Sequence, residues 1–316
     1  NTDASLTAGL PQAKYMFFGG SADTADASKK LIADFTAPIE KEFAALGEQG
    51  TAMQKYLAAV KTYVAAVKST AFGMATPSGM LGQDAIIQAV TVSKGDAKAI
   101  VDSQREMFQS QQAMFDLAMG GGGTELKTTY TANAKTIDGV QLNQMATSFA
   151  APAGQQQTPQ QMQMQQMMAM MYGPGGVNAY VGQIGNDKVV TSAGANDELM
   201  AKLVASAKTG ADALATAAPV KATSDQLPKQ RIVAAYVALD QIATAAANYA
   251  KAFGMPINFQ LPADLPPVGM TIGTEANAVR GNAHIPAQTL QSLIAAVMQV
   301  QMQMQGGAQP GGPGGL

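Results

Sequence analysis

Apolar residues recur along the chain with changing periods, and these changes predict alternating strands and helices. Leu31, Phe35, Ile39, Phe43 and Leu46 follow one another every three or four residues, which places them on one face of a helix. Short apolar runs bounded by glycine or proline, such as residues 10–20, instead predict strands. Further strands are predicted within 70–79, 85–93, 125–149, 177–194, 230–240, 268–276 and 278–285. Further helices are predicted after Gly50, from Asp96, after Asn196, around 239–253 and from Pro286.

Turn and cap residues place several of these boundaries. Asp138-Gly139 supplies the positive φ angles of a tight turn between two alternating runs, so residues 125–149 are predicted to form a hairpin. A second hairpin is predicted around residues 185–187. Asn196 is a preferred N-cap residue and begins a helix whose predicted buried stripe is Leu199, Met200, Leu203, Val204 and Ala207. Residues 216–228 are predicted to be a connector.

The order of elements predicts an α+β protein with antiparallel sheets, helices packed on one face and an internal duplication. In both the first and the last third, a strand is followed by helical sequence, two strands and a helix. The segment "FGMATPSG" (72–79) matches "VGMTIGTE" (268–275) in place and pattern. The predicted parts are a first unit (1–123), a hairpin-rich middle segment (124–218) with a Met/Gln-rich insertion (155–176), a second unit (219–305) and a Gly/Pro tail (306–316).

Composition excludes several classes of function. The 316 residues are 47 % hydrophobic and only 13 % charged, with a formal net charge of −2, so no basic face is available for nucleic acid. No apolar run approaches the roughly 20 residues of a transmembrane helix. The chain has no cysteine, which excludes disulfides, thiolate metal sites and cysteine nucleophiles.

Location is predicted from composition as well. A cysteine-free chain that is poor in lysine and rich in Gln, Asn, Ala and Thr is typical of exported bacterial proteins. The first residue is Asn1 rather than methionine, so we expect that a leader or a larger N-terminal part precedes it. An extracytoplasmic location follows as the expectation: periplasmic, cell-surface or secreted.

Three stretches of the second half of the chain carry a resemblance. They are "LPKQRIVAAYVALDQI", "PPVGMTIGTEANAVRGNAHIPAQTLQSLIAAV" and "AYVGQIGNDKVVTSAGANDELMAKLV". Together they resemble uncharacterised exported proteins of planctomycete-type bacteria, in which strand pairs alternate with docking helices. The resemblance implies export and a style of fold. It includes no catalytic motif and implies no site residues.

Reactive groups are few. His284 is the only histidine, no Gly-x-Ser-x-Gly elbow accompanies it, and a structural role is favoured over a catalytic one. The glycines at 120–123 follow a predicted helix instead of leading into one, so they predict a helix end and not a phosphate cradle. Acidic residues are scattered, mostly at helix starts, where they are favourable. We therefore expect no enzymatic activity and no cofactor.

Methionines are the most distinctive feature. The segment "QQMQMQQMMAMMYGPGG" (160–176) contains six, and at helical spacing several share one face opposite glutamines. The C-terminal "VMQVQMQMQ" repeats this chemistry. Three interpretations stay open: irregular core packing, an adaptable contact surface, or a thioether site for Cu(I). The candidate partner-contact surface comprises Met162, Met164, Met167, Met168, Met171, Met302 and Met304.

These features predict a non-enzymatic exported structural or interaction protein. We expect it to self-associate, or to bind another envelope or extracellular protein, because low charge gives weak repulsion between copies. The alternative is a carrier or binding protein for an apolar ligand or lipid, which calls for an enclosed apolar cavity of several hundred Å³.

Overall fold

Ten β-strands form one sheet in the computed structural model, which describes residues 6–22, 25–45, 47–75, 88–119, 125–150, 159, 162–163, 176–252, 261–275 and 278–306. The strands are β1 (Tyr15–Ala22), β2 (Val67–Ala75), β3 (Gln88–Gly95), β4 (Glu125–Ile137), β5 (Val140–Ala150), β6 (Val177–Ile184), β7 (Lys188–Ala193), β8 (Val233–Val237), β9 (Val268–Glu275) and β10 (Ala278–His284). Within these ranges the α-helices are α1 (Ala25–Ala45), α2 (Glu48–Ala66), α3 (Ala97–Met119), α4 (Asp197–Thr209), α5 (Ala218–Ser224), α6 (Leu239–Ala252) and α7 (Ala287–Gly306). The predicted α+β class is confirmed.

The sheet joins the two ends of the sequence at its centre. The strand order is β10-β9-β8-β1-β2-β3-β7-β6-β5-β4, and every neighbouring pair is antiparallel. β1 pairs with β8, and Phe18 of β1 stacks on Tyr236 of β8 with ring centroids 4.9 Å apart. Such a pair adds about 0.5–1.5 kcal/mol beyond the burial of the rings. The first and last thirds of the chain therefore meet in the middle of one sheet.

The first and last thirds of the chain have the same order of helices and strands. β1, helices, β2, β3 and α3 follow one another in the first third, and β8, α6, β9, β10 and α7 in the last. This is the order of elements on which the predicted duplication rests. Strands of all three predicted segments belong to the same sheet. Common origin of the two units and the predicted domain boundaries stay predictions.

Apolar side chains lie on both faces of the sheet, because neighbouring strand residues point in opposite directions. Val190 contributes to a cluster with Leu203 of α4 on one face, whereas Val189 contributes to a cluster with Ile100 of α3 on the other. The first cluster also contains Val220 of α5, and Tyr63 and Ala66 of α2 pack against the second. The predicted packing of helices on a single face is therefore corrected to packing on both.

Local signals placed several elements accurately. The β4–β5 hairpin turns at Asp138 and Gly139, with φ of 48° and 76°, and the β6–β7 hairpin turns at Gly185, with φ of 61°. The Asn196 side chain accepts a hydrogen bond of 2.9 Å from the backbone N–H of Leu199, as expected for the N-cap of α4. These predictions are confirmed.

One local prediction is wrong, and two others concern residues that the structure does not describe. The predicted connector 216–228 contains α5, which begins with a proline at its N-terminus and buries Val220 and Thr223. Burial of those two side chains stabilises the helix in a segment without a clear apolar period. The glycines at 120–123 and the tail from residue 307 lie outside the described residues.

Candidate functional site

The predicted methionine surface is only partly described by the structure. Met162 is exposed, and Met302 is exposed on α7. Met304 falls within α7, but its side chain is outside the description. Met164, Met167, Met168 and Met171 lie outside the described residues, and the predicted contact between this segment and a partner stays a prediction.

α7 presents its large apolar side chains to solvent. Leu290, Ile294, Val297, Met298 and Met302 are between 47 % and 65 % exposed. We call these five residues the α7 stripe. Their spacing places them along one side of the helix over about 18 Å. The 20 residues of α7 include no charged side chain.

The opposite side of α7 is the one that is buried, and it carries smaller residues. Thr289 is fully buried and donates a hydrogen bond of 2.6 Å to the carbonyl oxygen of Pro266. Ala296, two turns further on, is also buried. This distribution is the reverse of the usual one, in which large aliphatic residues face the core. Exposed rows of large apolar side chains are common on surfaces that contact another protein, a membrane or a ligand.

A second apolar surface lies on the sheet. Phe72, Gly19, Ala235 and Met270 face one another in a cross-strand row through β2, β1, β8 and β9. Phe72 and Met270 are exposed, as are Phe17 of β1 and Ile272 of β9. We call Phe17, Phe72, Met270 and Ile272 the open sheet face. It is the side of these strands opposite to the cluster that contains Tyr236.

Two neighbouring cavities lie on the other face of the sheet, beside the segment that leads into β1. Each has a volume of about 530 Å³ and is open to solvent, and residues 12–14 and Gln241 line both. The segment between them is fixed by Gln12, whose backbone N–H donates to Asp212 O at 2.7 Å and whose side chain donates to Thr216 Oγ1 at 3.2 Å. These volumes fall in the range of about 300–1,000 Å³ that is typical of small-molecule sites.

The first cavity, which we call the amide cavity, is rich in carboxamide side chains. Its walls are the first turn of α4 and one face of α6, and its floor is formed by the facing ends of β2 and β3. Lys202 donates a hydrogen bond of 2.6 Å to Glu198 at its rim, and this bond holds the pKa of that carboxyl below its usual value. The carboxamides that line it are Gln12, Gln88, Asn196, Gln241 and Asn248.

The second cavity is more apolar. Phe18, Leu214 and Leu265 line it, together with the buried carboxylate of Asp240. Asp240 accepts hydrogen bonds from the Gln241 side chain at 2.8 Å and from the backbone N–H of Asp264 at 3.1 Å. Because it is open and contains this carboxylate, it differs from the enclosed apolar void that a lipid carrier calls for.

Tyr15 lines the second cavity and is almost completely buried. Its hydroxyl has no hydrogen-bond partner among the described residues, and burial raises the pKa of the phenol above its ordinary value. Its ring lies over Gly73 of the adjacent strand, where an added Cβ would be 2.5 Å from Tyr15 Cε1. The hydroxyl therefore costs desolvation energy without a bond in return.

We expect the substitution Tyr15→Phe to keep or raise stability. At pH 8 the free energy of unfolding should be unchanged or higher by up to about 1 kcal/mol, because an unpartnered buried hydroxyl is removed. Above pH 10 the unfolded wild-type chain releases the phenol proton and the folded chain keeps it, so wild-type stability falls. At pH 11 the free energy of unfolding of the variant should therefore exceed that of the wild type by about 1.4 kcal/mol more than it does at pH 8. Urea unfolding at both pH values measures it, and a loss above 1 kcal/mol at pH 8 contradicts it.

Groups with obvious reactivity are dispersed. His284 is the last residue of β10, where it pairs with Gly269, in agreement with its predicted position on a strand before a helix. Among the described residues, no three or more His, Asp or Glu side chains gather as they would around a metal ion. Of the helices in the described part of the chain, none combines the length and apolarity of a bilayer span.

Comparison with known proteins places the chain in no family. No family model matches the sequence, and no curated protein matches it. Crystal form IV of the Treponema protein TP0453 is similar with a TM-score of 0.35 and 12 % identity over 93 % of this chain and 86 % of that chain. Crystal form III of TP0453 gives a TM-score of 0.30 and 11 % identity over 92 % and 86 %. The likeness at these scores supports no conclusion about function.

Sequence reasoning missed most of these surfaces. It selected Met302 and Met304 on the last helix but not Leu290, Ile294, Val297 and Met298 of the same helix. Their spacing was available as a signal, since it gives an apolar side to an uncharged helix. The amide cavity had no local signal, because its lining residues come from segments far apart in the chain.

Proposed function

We propose that this chain is a non-enzymatic exported protein whose copies associate with one another. The observation that carries the proposal is the α7 stripe, in which Leu290, Ile294, Val297 and Met298 are about half exposed along one side of an uncharged helix. Covering a half-exposed side chain of this size stabilises a complex by about 1 kcal/mol. Covering the α7 stripe therefore stabilises an assembly of copies by a free energy that is not available to a monomer.

The second copy is a suitable partner because the chain itself displays an apolar counter-surface. The open sheet face presents Phe17, Phe72, Met270 and Ile272, and no charged residue lies in the row that joins Phe72 to Met270. Two uncharged apolar surfaces pack together without the desolvation cost of buried ions. We propose that α7 of one copy packs on the open sheet face of another.

Export is the remaining part of the proposal and is supported by composition. A cysteine-free chain that is poor in lysine and rich in Gln, Asn, Ala and Thr is common among exported bacterial proteins. The resemblance to exported planctomycete-type proteins supports the same location. A structural role in the envelope or extracellular matrix fits a weakly charged chain whose copies associate.

The test is the oligomeric state of the purified chain. We expect mass photometry and light scattering to show a dimer or larger assembly at micromolar concentration. The triple variant Leu290→Gln, Ile294→Gln, Val297→Gln should weaken the association at least tenfold, because the apolar gain is lost at three positions. The pair Phe17→Ser, Phe72→Ser should weaken it as well.

A matched control separates this surface from exposed apolar side chains in general. Leu31 and Phe35 on α1 are 68 % and 67 % exposed, so Leu31→Gln with Phe35→Gln removes comparable apolar surface elsewhere. We expect this control to associate like the wild type. A wild-type chain that stays monomeric, or a triple variant that associates normally, would contradict the proposal.

A further inference from the structure

We propose that the amide cavity binds a neutral polyhydroxylated ligand, such as a short saccharide. This site is separate from the surfaces assigned to self-association, since none of the α7 stripe or open sheet face residues lines it. The proposal rests on the shape of the cavity, on the chemistry of its lining and on one buried amide N–H group that has no acceptor among the described residues.

The cavity is built from four parts of the fold: residues 12–14, the facing ends of β2 and β3, the start of α4, and α6. Ala75 and Gln88 face each other at the ends of β2 and β3 and form the floor. Gln241, Thr244 and Asn248 lie on one face of α6, at the i, i+3 and i+7 spacing that aligns side chains along a helix. A volume of about 530 Å³ that is open on one side admits a ligand of a few sugar rings.

The lining matches hydroxyl groups better than it matches ions. A carboxamide offers two N–H donors and a carbonyl acceptor, and a sugar hydroxyl needs both kinds of partner. Five carboxamides and the Thr244 hydroxyl line one space. Gln12 and Gln241 each donate one amide N–H within the protein, so each of these two amides keeps its second N–H and its carbonyl oxygen for a ligand. The charges of Lys202 and Glu198 offset each other in a salt bridge of 2.6 Å, which leaves Lys14 as the remaining charged residue of the lining.

Gln88 is the residue whose surroundings indicate a ligand. Its side chain is 2 % exposed, and its Nε2 has no hydrogen-bond partner among the described residues. A buried amide N–H that lacks an acceptor costs about 1–3 kcal/mol. A ligand hydroxyl that reaches the floor of the cavity would supply the missing acceptor.

Ligand-observed NMR on the full chain tests the proposal. The probes are maltose, cellobiose and diacetylchitobiose, with inorganic phosphate and trialanine as an anion and a peptide for comparison. We expect at least one of the disaccharides to show saturable binding and neither comparison compound to do so. No saturable disaccharide binding, or binding of phosphate or trialanine in preference, would overturn the proposal.

Variants then locate the site. Gln88→Leu keeps the size of the side chain and removes the unpartnered amide, so binding should fall at least tenfold while thermal stability is kept. Asn248 is an exposed residue in the wall of the cavity, and Asn248→Ala should weaken binding severalfold. This variant tests the site even if Gln88→Leu fails to fold. Gln291→Ala, an exposed glutamine on α7, is the matched control and should bind like the wild type. Unchanged binding in both cavity variants would overturn the proposal.

Discussion

Replacing Gly20 by alanine is expected to lower the free energy of unfolding by about 4 kcal/mol. A Cβ at this position would lie 1.8 Å from the carbonyl oxygen of Leu6 and 2.8 Å from that of Thr70. Both neighbours are backbone atoms, so the N-terminal segment must move away from β1. Strain of this kind costs about 1–3 kcal/mol, and partial exposure of Leu6, a fully buried leucine, adds about 1.5–3 kcal/mol.

Gly281 provides the control for Gly20. It lies on the edge strand β10, and a Cβ added there would meet no atom within 4 Å. Gly281→Ala should leave stability unchanged or raise it by up to about 1 kcal/mol, since alanine loses less backbone entropy on folding. Guanidinium unfolding followed by circular dichroism measures both variants. Equal stabilities for the two variants would mean that residue 6 does not pack against β1.

Leu203→Ala is expected to destabilise the fold by about 3–5 kcal/mol. Leu203 is 1 % exposed in α4 and belongs to the cluster that includes Val190, Phe18 and Tyr236. Truncation removes buried methyl groups and leaves a cavity in a closely packed layer. The same unfolding measurement applies, and the loss should appear in the midpoint without a change in the denaturant slope.

Leu31→Ala is the matched control for Leu203→Ala. Leu31 is 68 % exposed on α1, although its sequence period alone resembles that of a buried stripe. Its truncation should change the free energy of unfolding by less than about 0.5 kcal/mol. A loss of several kcal/mol at Leu31 would show that a surface covers α1 in solution.

Local structure could be predicted from the sequence because its determinants are local. The positive φ angles at Asp138 and Gly139 and the cap at Asn196 depend on residues within a few positions. The five residues of the predicted buried stripe of α4, namely Leu199, Met200, Leu203, Val204 and Ala207, are all buried. In α4 the side of the helix that carries the periodic apolar residues is also the side that the rest of the molecule covers.

The apolar period of a helix does not by itself determine which side of the helix the rest of the molecule covers. In α1 the predicted stripe includes Leu31 and Phe35, yet both are exposed, and Thr36 is the buried residue. In α7 the large apolar residues face solvent, and Thr289 is buried. Periodicity identifies residues that share a face, whereas burial depends on partners from elsewhere in the chain.

The candidate binding site was beyond local prediction for a related reason. Gln88, Asn196 and Asn248 line one cavity only because the strand order brings β3, α4 and α6 together. Glutamine and asparagine are ordinary surface residues, so nothing in the immediate sequence of Gln88 distinguishes it. Gln88 stands out because it is buried and its Nε2 has no hydrogen-bond partner in the described part of the chain.

The central β1–β8 pairing has a consequence for how the chain folds during synthesis. β1 emerges from the ribosome early, but its partner β8 begins only at residue 233. The hydrogen bond from the Gln12 side chain to Thr216 likewise forms only after Thr216, 204 positions later, has been synthesised. Contacts between such distant residues carry a large loop-closure cost and slow folding. Until β8 has been synthesised, one edge of β1 is an unpaired template for other chains, so this edge exposes the nascent protein to aggregation.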